Sequence, residues 1–362
     1  MKKIISIVVS IMVVSMSLLF VFGSKKEFSY NENRYLARFP KTNINSILSG
    51  KFMNQLETYI ADNFPLRENL LEIKSRTYKN LGVYKQSDVY YGNDNKLYQE
   101  YIKPENSDKI IKRVNKLKDK VNSNIYFMLV PTAIYVNSNK VSKYNTSYDE
   151  GITLDYYKDN LNVNFIDIRT SLIENKNDYL YYGTDHHWTS RGAFIAYKDF
   201  CNEVGILPNN YNYSKVSDKF YGTLYSKVLD NSLEHDYIEI INSNTNYRVY
   251  YDDTKEEDNS MYNYKYLDEK DKYSFFLDNN HSLIEIDNLD IESNDTILII
   301  KDSYANSFIP FIGPHYKKIY VIDPRYYNSS ISDFISENNI ENVLFIYNVL
   351  TIDDDLGIVS IR

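Results

Sequence analysis

Two of the chain's five histidines and its single tryptophan fall in one string, Tyr181-Tyr182-Gly183-Thr184-Asp185-His186-His187-Trp188-Thr189-Ser190-Arg191-Gly192-Ala193. An imidazole two residues from a carboxylate is a general base with its own orienting group. In an extended segment residues i and i+2 project to one side, which would let Asp185 fix the tautomer of His187. A base of that kind needs a nucleophile. The segment Thr296-Ile-Leu-Ile-Ile-Lys-Asp-Ser-Tyr-Ala-Asn-Ser307 offers Ser303. Its apolar run reads as a buried strand emptying into a turn, and in open α/β sheets ligands bind at the carboxyl ends of strands. Serine, histidine and aspartate together suit acyl transfer, because a hydroxyl is a poor nucleophile until a base takes its proton.

Each piece also has a plainer use. Asp302 or Ser303 would serve as a helix cap, and the Asp-His-His-Trp element as a hydrogen-bonded corner with Trp188 in the core. Asp185, His186 and His187 are all metal-ligand types. Adjacent histidines in an extended segment would point apart, however, and His235, His281 and His315 show no ligand spacing. No metal and no cofactor is therefore expected.

The elements that must position these residues are legible as patterns. Ile125 to Val130, Phe165 to Ile168, Ile297 to Ile300, Ile319 to Ile322 and Val343 to Ile346 are continuous apolar runs, as in strands buried on both faces. Helical patterns lie between several of them, which predicts an α/β parallel sheet with helices on both faces. Thr189 to Val204 reads as a helix with a Thr-Ser cap and Gly205 as its stop, so the Asp-His element sits at a helix N-terminus. The Lys-rich run Lys109 to Lys120 carries Ile110, Ile111, Val114, Leu117 and Val121 at helical spacing, and its lysines are the solvated face of an amphipathic helix. From about residue 210 to 290 the chain is rich in Asn, Asp and Tyr, with strand-like pieces, and is expected to be an antiparallel insertion.

Ile4 to Gly23 carries no charge and would make roughly 30 Å of helix, about one bilayer. It exceeds a signal-peptide core in length, so residues 1–24 are expected to be an uncleaved anchor, with secretion the outcome if it is cleaved. Residues 25–86 then form a stalk with two helical patterns, one at Phe52, Leu56, Tyr59 and Ile60 and another at Leu70, Leu71, Ile73 and Tyr78. Residues 87–362 form the α/β domain. The single Cys201 allows no internal disulfide, and 43% hydrophobic residues suffice for a core. A net charge of −8 disfavours nucleic acid as a partner, since phosphate binding needs a basic surface. The 37 tyrosines would suit sugar rings, but a general compositional bias explains them as well.

The string Asp185-His186-His187-Trp188, with its Tyr-Tyr-x-Thr lead and Thr-x-x-Gly-Ala follow-on, resembles the DHHW protein family, related to the SGNH-hydrolase-like proteins of alginate O-acetylation. Further matches are Glu32-Asn-Arg-Tyr-Leu-Ala37, Asp62-Asn-Phe-Pro-Leu-Arg67, Gly92-Asn-Asp94 and Lys301-Asp-Ser-Tyr-Ala-Asn-Ser307. The resemblance implies a flavodoxin-like SGNH fold in permuted order, with the Asp-x-His element ahead of the serine. By position Ser303 is then the nucleophile, His187 the base and acid, and Asp185 its orienting group. Lys301 stands where SGNH enzymes commonly have Gly. The Ser303 N–H is the first oxyanion donor, Asn306 and Arg191 are candidates for the rest, and Tyr182 and His186 for substrate contact. The implied function is an extracytoplasmic, membrane-anchored O-acetyltransferase or acetylesterase. Its partners would be a polysaccharide acceptor and an acyl donor supplied by a membrane-bound acyltransferase. The alternative is a non-catalytic glycan-binding or assembly component of a polysaccharide modification or export complex.

Overall fold

Residues 2–361, described by a computed structural model, begin with the helix Lys2–Phe22. It has a mean hydropathy of 2.8 and no buried residue, and is long and apolar enough to cross a membrane. This helix belongs to a smaller unit that runs to Ser87 and takes in Tyr225–Ser232. Within it the two strings at 32–37 and 62–67 lock together. Arg34 donates from both terminal nitrogens to the Asp62 carboxylate at 2.9 and 2.6 Å. Ala37 N–H reaches the same carboxylate at 2.9 Å, and Arg67 pairs with Glu32. The hydrogen bonds from Arg34 hold the Asp62 carboxyl below its usual range. These motifs join the segment after the first helix to the helices Lys51–Asp62 and Arg67–Asn80.

The larger unit, Asp88–Leu224 with the chain from Leu233 onward, is built on an eight-stranded sheet. In chain order its strands are β1 (Asn124–Val130), β2 (Asn164–Phe165), β3 (Tyr247–Tyr251), β4 (Glu256–Asp258), β5 (Leu283–Asn288), β6 (Thr296–Lys301), β7 (Lys318–Ile322) and β8 (Asn342–Asn348). In space the order is β4-β3-β5-β7-β6-β8-β1-β2. The five from β7 to β2 are parallel, while β5, β3 and β4 extend the β7 edge antiparallel.

The apolar runs are continuous because both faces are covered. Ile297 and Ile299 of β6 pack with Met128, Ile346 and the helix Ser190–Val204 in one core. Leu298 and Ile300 point the other way, onto Phe127, Phe345 and the helices Ser107–Lys118 and Glu150–Asn160. The Lys-rich helix buries Ile110, Ile111, Val114 and Leu117 and leaves its lysines to solvent. The helix Ser190–Val204 is capped by the Thr189 hydroxyl, which accepts from Arg191 N–H at 3.1 Å, and is closed by Gly205 at φ 77°.

Two expectations need correction. The run Phe165 to Ile168 contributes only β2, because Ile168 already caps the helix Arg169–Glu174. The 210–290 segment is not one insertion. Tyr213–Phe220 and Asp236–Ile241 pair in a separate two-stranded sheet, whereas β3, β4 and β5 join the main one.

Candidate active site

Strand β6 delivers Ser303. One step beyond the strand, Asp302 Oδ1 accepts the Tyr304 N–H at 2.9 Å and so caps the short 3-10 helix Ser303–Ser307. Its other oxygen accepts the Asn348 N–H at the end of β8, 2.8 Å away, and the Thr351 hydroxyl. The cap is therefore Asp302, and the Ser303 side chain is left for chemistry. Ser303 is partly exposed in a stretch otherwise buried from Ile297 to Gly313.

The Asp-His element is a closed turn rather than an extended segment. An antiparallel bridge joins Tyr181 to Trp188 across its ends. The buried Asp236 carboxylate holds the interior, accepting the Gly183 and Thr184 N–H groups at 2.7 Å each and the Tyr179 hydroxyl at 2.7 Å. Asp185 and His187 still meet, through an Asx-type turn: Asp185 Oδ1 accepts the His187 backbone N–H at 2.9 Å. The same oxygen lies 2.6 Å from His187 Nδ1, and His187 Nε2 lies 2.8 Å from Ser303 Oγ.

The protonation pattern follows from these partners. Burial would raise the Asp185 carboxyl. The attraction of His186 and His187 in their protonated forms, at the low pH where the carboxyl would titrate, and the bonds from His187 and Thr223 outweigh it and hold the group far below its usual range. An ionised carboxylate only accepts, so the proton on Nδ1 belongs to His187, and neutral His187 presents Nε2 as an acceptor to the Ser303 hydroxyl.

Groups distant in sequence support this relay. Thr223 donates to Asp185 Oδ2 from its N–H at 2.8 Å and its hydroxyl at 3.1 Å. Gly222 passes so close that a Cβ there would lie 2.2 Å from the Asp185 Cβ and 2.3 Å from Oδ2. The Tyr273 ring stacks on His187 with centroids 3.7 Å apart. Trp188, fully buried, donates from Nε1 to the Tyr304 carbonyl at 2.8 Å and so fastens the turn to the nucleophile's helix. Lys270 is half-buried in the same neighbourhood; burial pushes its ammonium down to about 8 while Asp185 acts in the opposite sense. Apart from Trp188, none of these was found from sequence, since a lone Gly, Thr, Tyr or Lys among many of its type gives no signal.

The remaining candidates fare differently. His186 does not point away. The turn brings its ring to 3.8 Å from that of His187, with Nδ1 2.7 Å from the Thr223 hydroxyl. Tyr182 is buried, edge-on to Phe220 and Tyr273, which makes it a support under the stack rather than a substrate contact. Arg191 is engaged by Glu239 at 2.7 and 3.0 Å and lies over the Tyr213 ring, so its guanidinium is spent on the two-stranded sheet. Asn306 uses both ends of its amide, accepting from Lys301 Nζ at 2.8 Å and donating to the Asn279 carbonyl at 3.1 Å. The Ser303 N–H meets no acceptor among the described residues and stays available as an oxyanion donor.

Lys301 itself is fully buried, and burial pushes its ammonium down to about 8. With Asn306 and a 2.7 Å bond to Asn280 it pins the loop Leu277–Asp278–Asn279, three successive left-handed residues at φ 56°, 54° and 79°. Asp185, His186 and His187 place ligand-type atoms within 4.8 Å of one another. Both His187 nitrogens are already committed to Asp185 and Ser303, so the set is a hydrogen-bonded relay.

The family model described as DHHW protein matches residues 82–322. The chain belongs to the DHHW family. A solved DHHW family protein from Eubacterium siraeum is similar over 76% of this chain and 97% of its own, at 24% identity and a TM-score of 0.67. Bacillus cereus PatB1, solved with a sulfonyl adduct, is similar over 73% of this chain and 95% of its own, at 21% identity and a TM-score of 0.62. The O-acetyltransferase domain of Pseudomonas putida AlgJ aligns with 74% of this chain and 93% of its own, at 14% identity and a TM-score of 0.48. No curated protein matches the chain in sequence. The DHHW string itself is the turn that carries Asp185 and His187, so the family's signature coincides with the relay.

Proposed function

We propose that this DHHW protein is a membrane-anchored, extracytoplasmic enzyme that moves an acetyl group from an activated donor to a polysaccharide hydroxyl or to water. The observation that carries the reading is the unbroken relay from Ser303 Oγ to His187 Nε2 at 2.8 Å and from Nδ1 to Asp185 at 2.6 Å. A non-catalytic assembly component would have no need of that alignment.

In the first half-reaction Ser303 Oγ bonds to the donor carbonyl carbon while its proton passes to His187 Nε2. The imidazolium is held against ionised Asp185, and the oxyanion lies against the Ser303 N–H. His187 then returns the proton to the departing oxygen, the old ester bond breaks, and acetyl-Ser303 remains. In the second half-reaction an acceptor hydroxyl gives its proton to His187 and attacks the acyl carbon. Collapse breaks the bond to Ser303 Oγ, which takes the proton back. Transferase and hydrolase use the same residues and differ in whether sugar or water reaches the acyl-enzyme.

The strand order supports the SGNH part of the reading. If the chain is renumbered from β6, the parallel strands β6, β7, β8, β1 and β2 become one to five, and their spatial order β7-β6-β8-β1-β2 becomes 2-1-3-4-5. This agrees with the order expected of a flavodoxin-like sheet and supports that reading, with the serine after the first strand and the Asp-His turn after the last. The helix Lys2–Phe22 is read as the anchor; lysines flank both of its ends, Lys2 and Lys3 before and Lys25 and Lys26 after, so its outward orientation rests on the likeness to signal sequences. The acyl donor would come from a membrane-bound acyltransferase.

The test is intact-protein mass spectrometry of the full chain in detergent after incubation with p-nitrophenyl acetate. A single acetyl adduct that maps to Ser303 and is absent from Ser303→Ala and His187→Ala is expected. Folded wild-type protein that takes no acetyl from this or other activated esters, and no sulfonyl group from a sulfonyl fluoride, would sink the enzyme reading.

A further inference from the structure

We propose that Tyr273 is a positioning residue of the acyl-transfer site, which clamps the base His187 against the nucleophile Ser303. The inference rests on the reading of the relay given above. Asp185 constrains only one corner of the imidazole, at Nδ1. A swing of the ring out of plane about that corner would lift Nε2 off Ser303 Oγ, and a shift of about 1 Å at a reacting atom costs up to about a hundredfold in rate. The His186 ring meets the imidazole at a 39° tilt, 3.8 Å between centroids, and Tyr273 supplies the flat, near-parallel contact. Its ring lies on the imidazole at 3.7 Å with only 9° between the planes.

The Tyr273 ring is itself fixed at both ends. Tyr182 meets it at 85° and Phe276 packs at 5.3 Å. Its hydroxyl, 3.1 Å from the Ser303 carbonyl, donates to that oxygen, and it can accept from Ser307 Oγ at 3.1 Å. One buried side chain therefore touches the ring that moves the proton and the backbone of the residue that gives it up. The contact also has an electrostatic consequence. When His187 takes the proton of Ser303 it becomes a cation lying on the electron-rich face of Tyr273, a favourable arrangement absent from the resting state.

A merely structural tyrosine would act through stability alone, so the test reads the imidazole directly. The full chain and its Tyr273→Phe and Tyr273→Met variants are compared in two ways. One is the low-field proton resonance of the Nδ1–H shared by His187 and Asp185; the other is kcat and KM for p-nitrophenyl acetate. Tyr273→Phe keeps the stacked ring but gives up the hydroxyl's bond to the Ser303 carbonyl, so it is expected to keep the resonance and to lose clearly less kcat than the ring-less variant, by at most about 10-fold. Tyr273→Met fills the space without a flat face. It is expected to broaden or lose the resonance and to lower kcat by about 10- to 100-fold with little change in KM. Should Tyr273→Met fail to fold, Tyr273→Leu makes the same comparison. A folded ring-less variant with the wild-type resonance and kcat would overturn the proposal. If wild type turns over no ester, the acyl-transfer reading falls alone, and the resonance still decides whether Tyr273 holds His187.

Discussion

Ser303 and His187 stand 2.8 Å apart, yet the two sides of the site are built by different means. Ser303, the proposed nucleophile, is placed by backbone. Strand β6 is flanked by parallel neighbours on both edges and covered on both faces, and the chain has only two residues to travel from Lys301 to Ser303. His187, the proposed base, is placed by side chains. Its turn has no strand of its own beyond one bridge. It is held by Asp236 from inside, by Gly222 and Thr223 around Asp185, and by Tyr273 on the imidazole. All four of those residues come from the polar segment between about 210 and 290. The sheet therefore supplies the hydroxyl, and that segment holds the imidazole against it.

If this division is right, a single methyl group on the side-chain-built half should cost as much as removing a triad member. Gly222→Ala is that experiment. Its Cβ would fall 2.3 Å from Asp185 Oδ2, so the carboxylate must leave His187 or the loop must retreat with Thr223. Activity toward an activated ester is expected to fall by about 10² to 10⁴-fold, in the range of losing the orienting carboxylate, with the acetyl adduct on Ser303 slowed equally. Wild-type rates in a folded Gly222→Ala protein would show that the loop yields freely and that Asp185 is held by His187 alone.

Trp188 is where the two constructions meet, since it belongs to the turn, packs in the β6 core and donates to the Tyr304 carbonyl. Trp188→Ala should therefore damage stability more broadly than any residue on either side, by about 3 to 5 kcal/mol. The loss is expected as a fall in the melting temperature of the full chain in detergent. Equal melting temperatures for the variant and wild type would mean that turn and sheet do not depend on this indole.

The same contrast explains what could be read in the sequence. The strands around β6, the helix Ser190–Val204 with its Thr189 cap, and the three relay residues were all legible. Continuous apolar runs, caps and a rare Asp-His-His-Trp string are local signals, and the chain connects them directly to the site. Tyr273, Gly222, Thr223 and Asp236 were not legible. Each lies 30 or more residues from the site residue it touches, and its type is common in this chain. Arg191 and Asn306 failed as oxyanion candidates for the converse reason. Proximity in sequence put them beside the relay, but Glu239 takes the Arg191 guanidinium and the Asn306 amide donates to the Asn279 carbonyl. Even the Asp-His geometry was reached by a different route from the one expected, through a closed turn in place of an extended segment.

The backbone-built half has buried carboxylates too, and one that lies away from the relay, Glu150, offers the mildest test of the comparison. Glu150 is fully buried beyond the carboxyl end of β1, where it accepts from the Thr132 N–H at 2.8 Å and from the Thr132 hydroxyl at 2.5 Å. Burial pushes its pKa up from 4.5 to about 7, with the Thr132 bonds opposing. The folded protein therefore holds this proton more tightly than the unfolded chain does. The stabilisation is complete below pH 4.5 and is lost as pH rises to about 7. A shift of that size corresponds to about 3 kcal/mol across the window. In Glu150→Gln the slope should be absent, so the melting temperature of wild type relative to the variant should fall as pH is raised from 4.5 to 7. The acetylation of Ser303 should be unaffected, because Glu150 makes no contact with the relay. Parallel stability curves would mean that Glu150 titrates as it does in the unfolded chain. A loss of acetylation would mean that the end of β1 is coupled to the triad, and the division between a rigid sheet and a side-chain clamp would have to be redrawn.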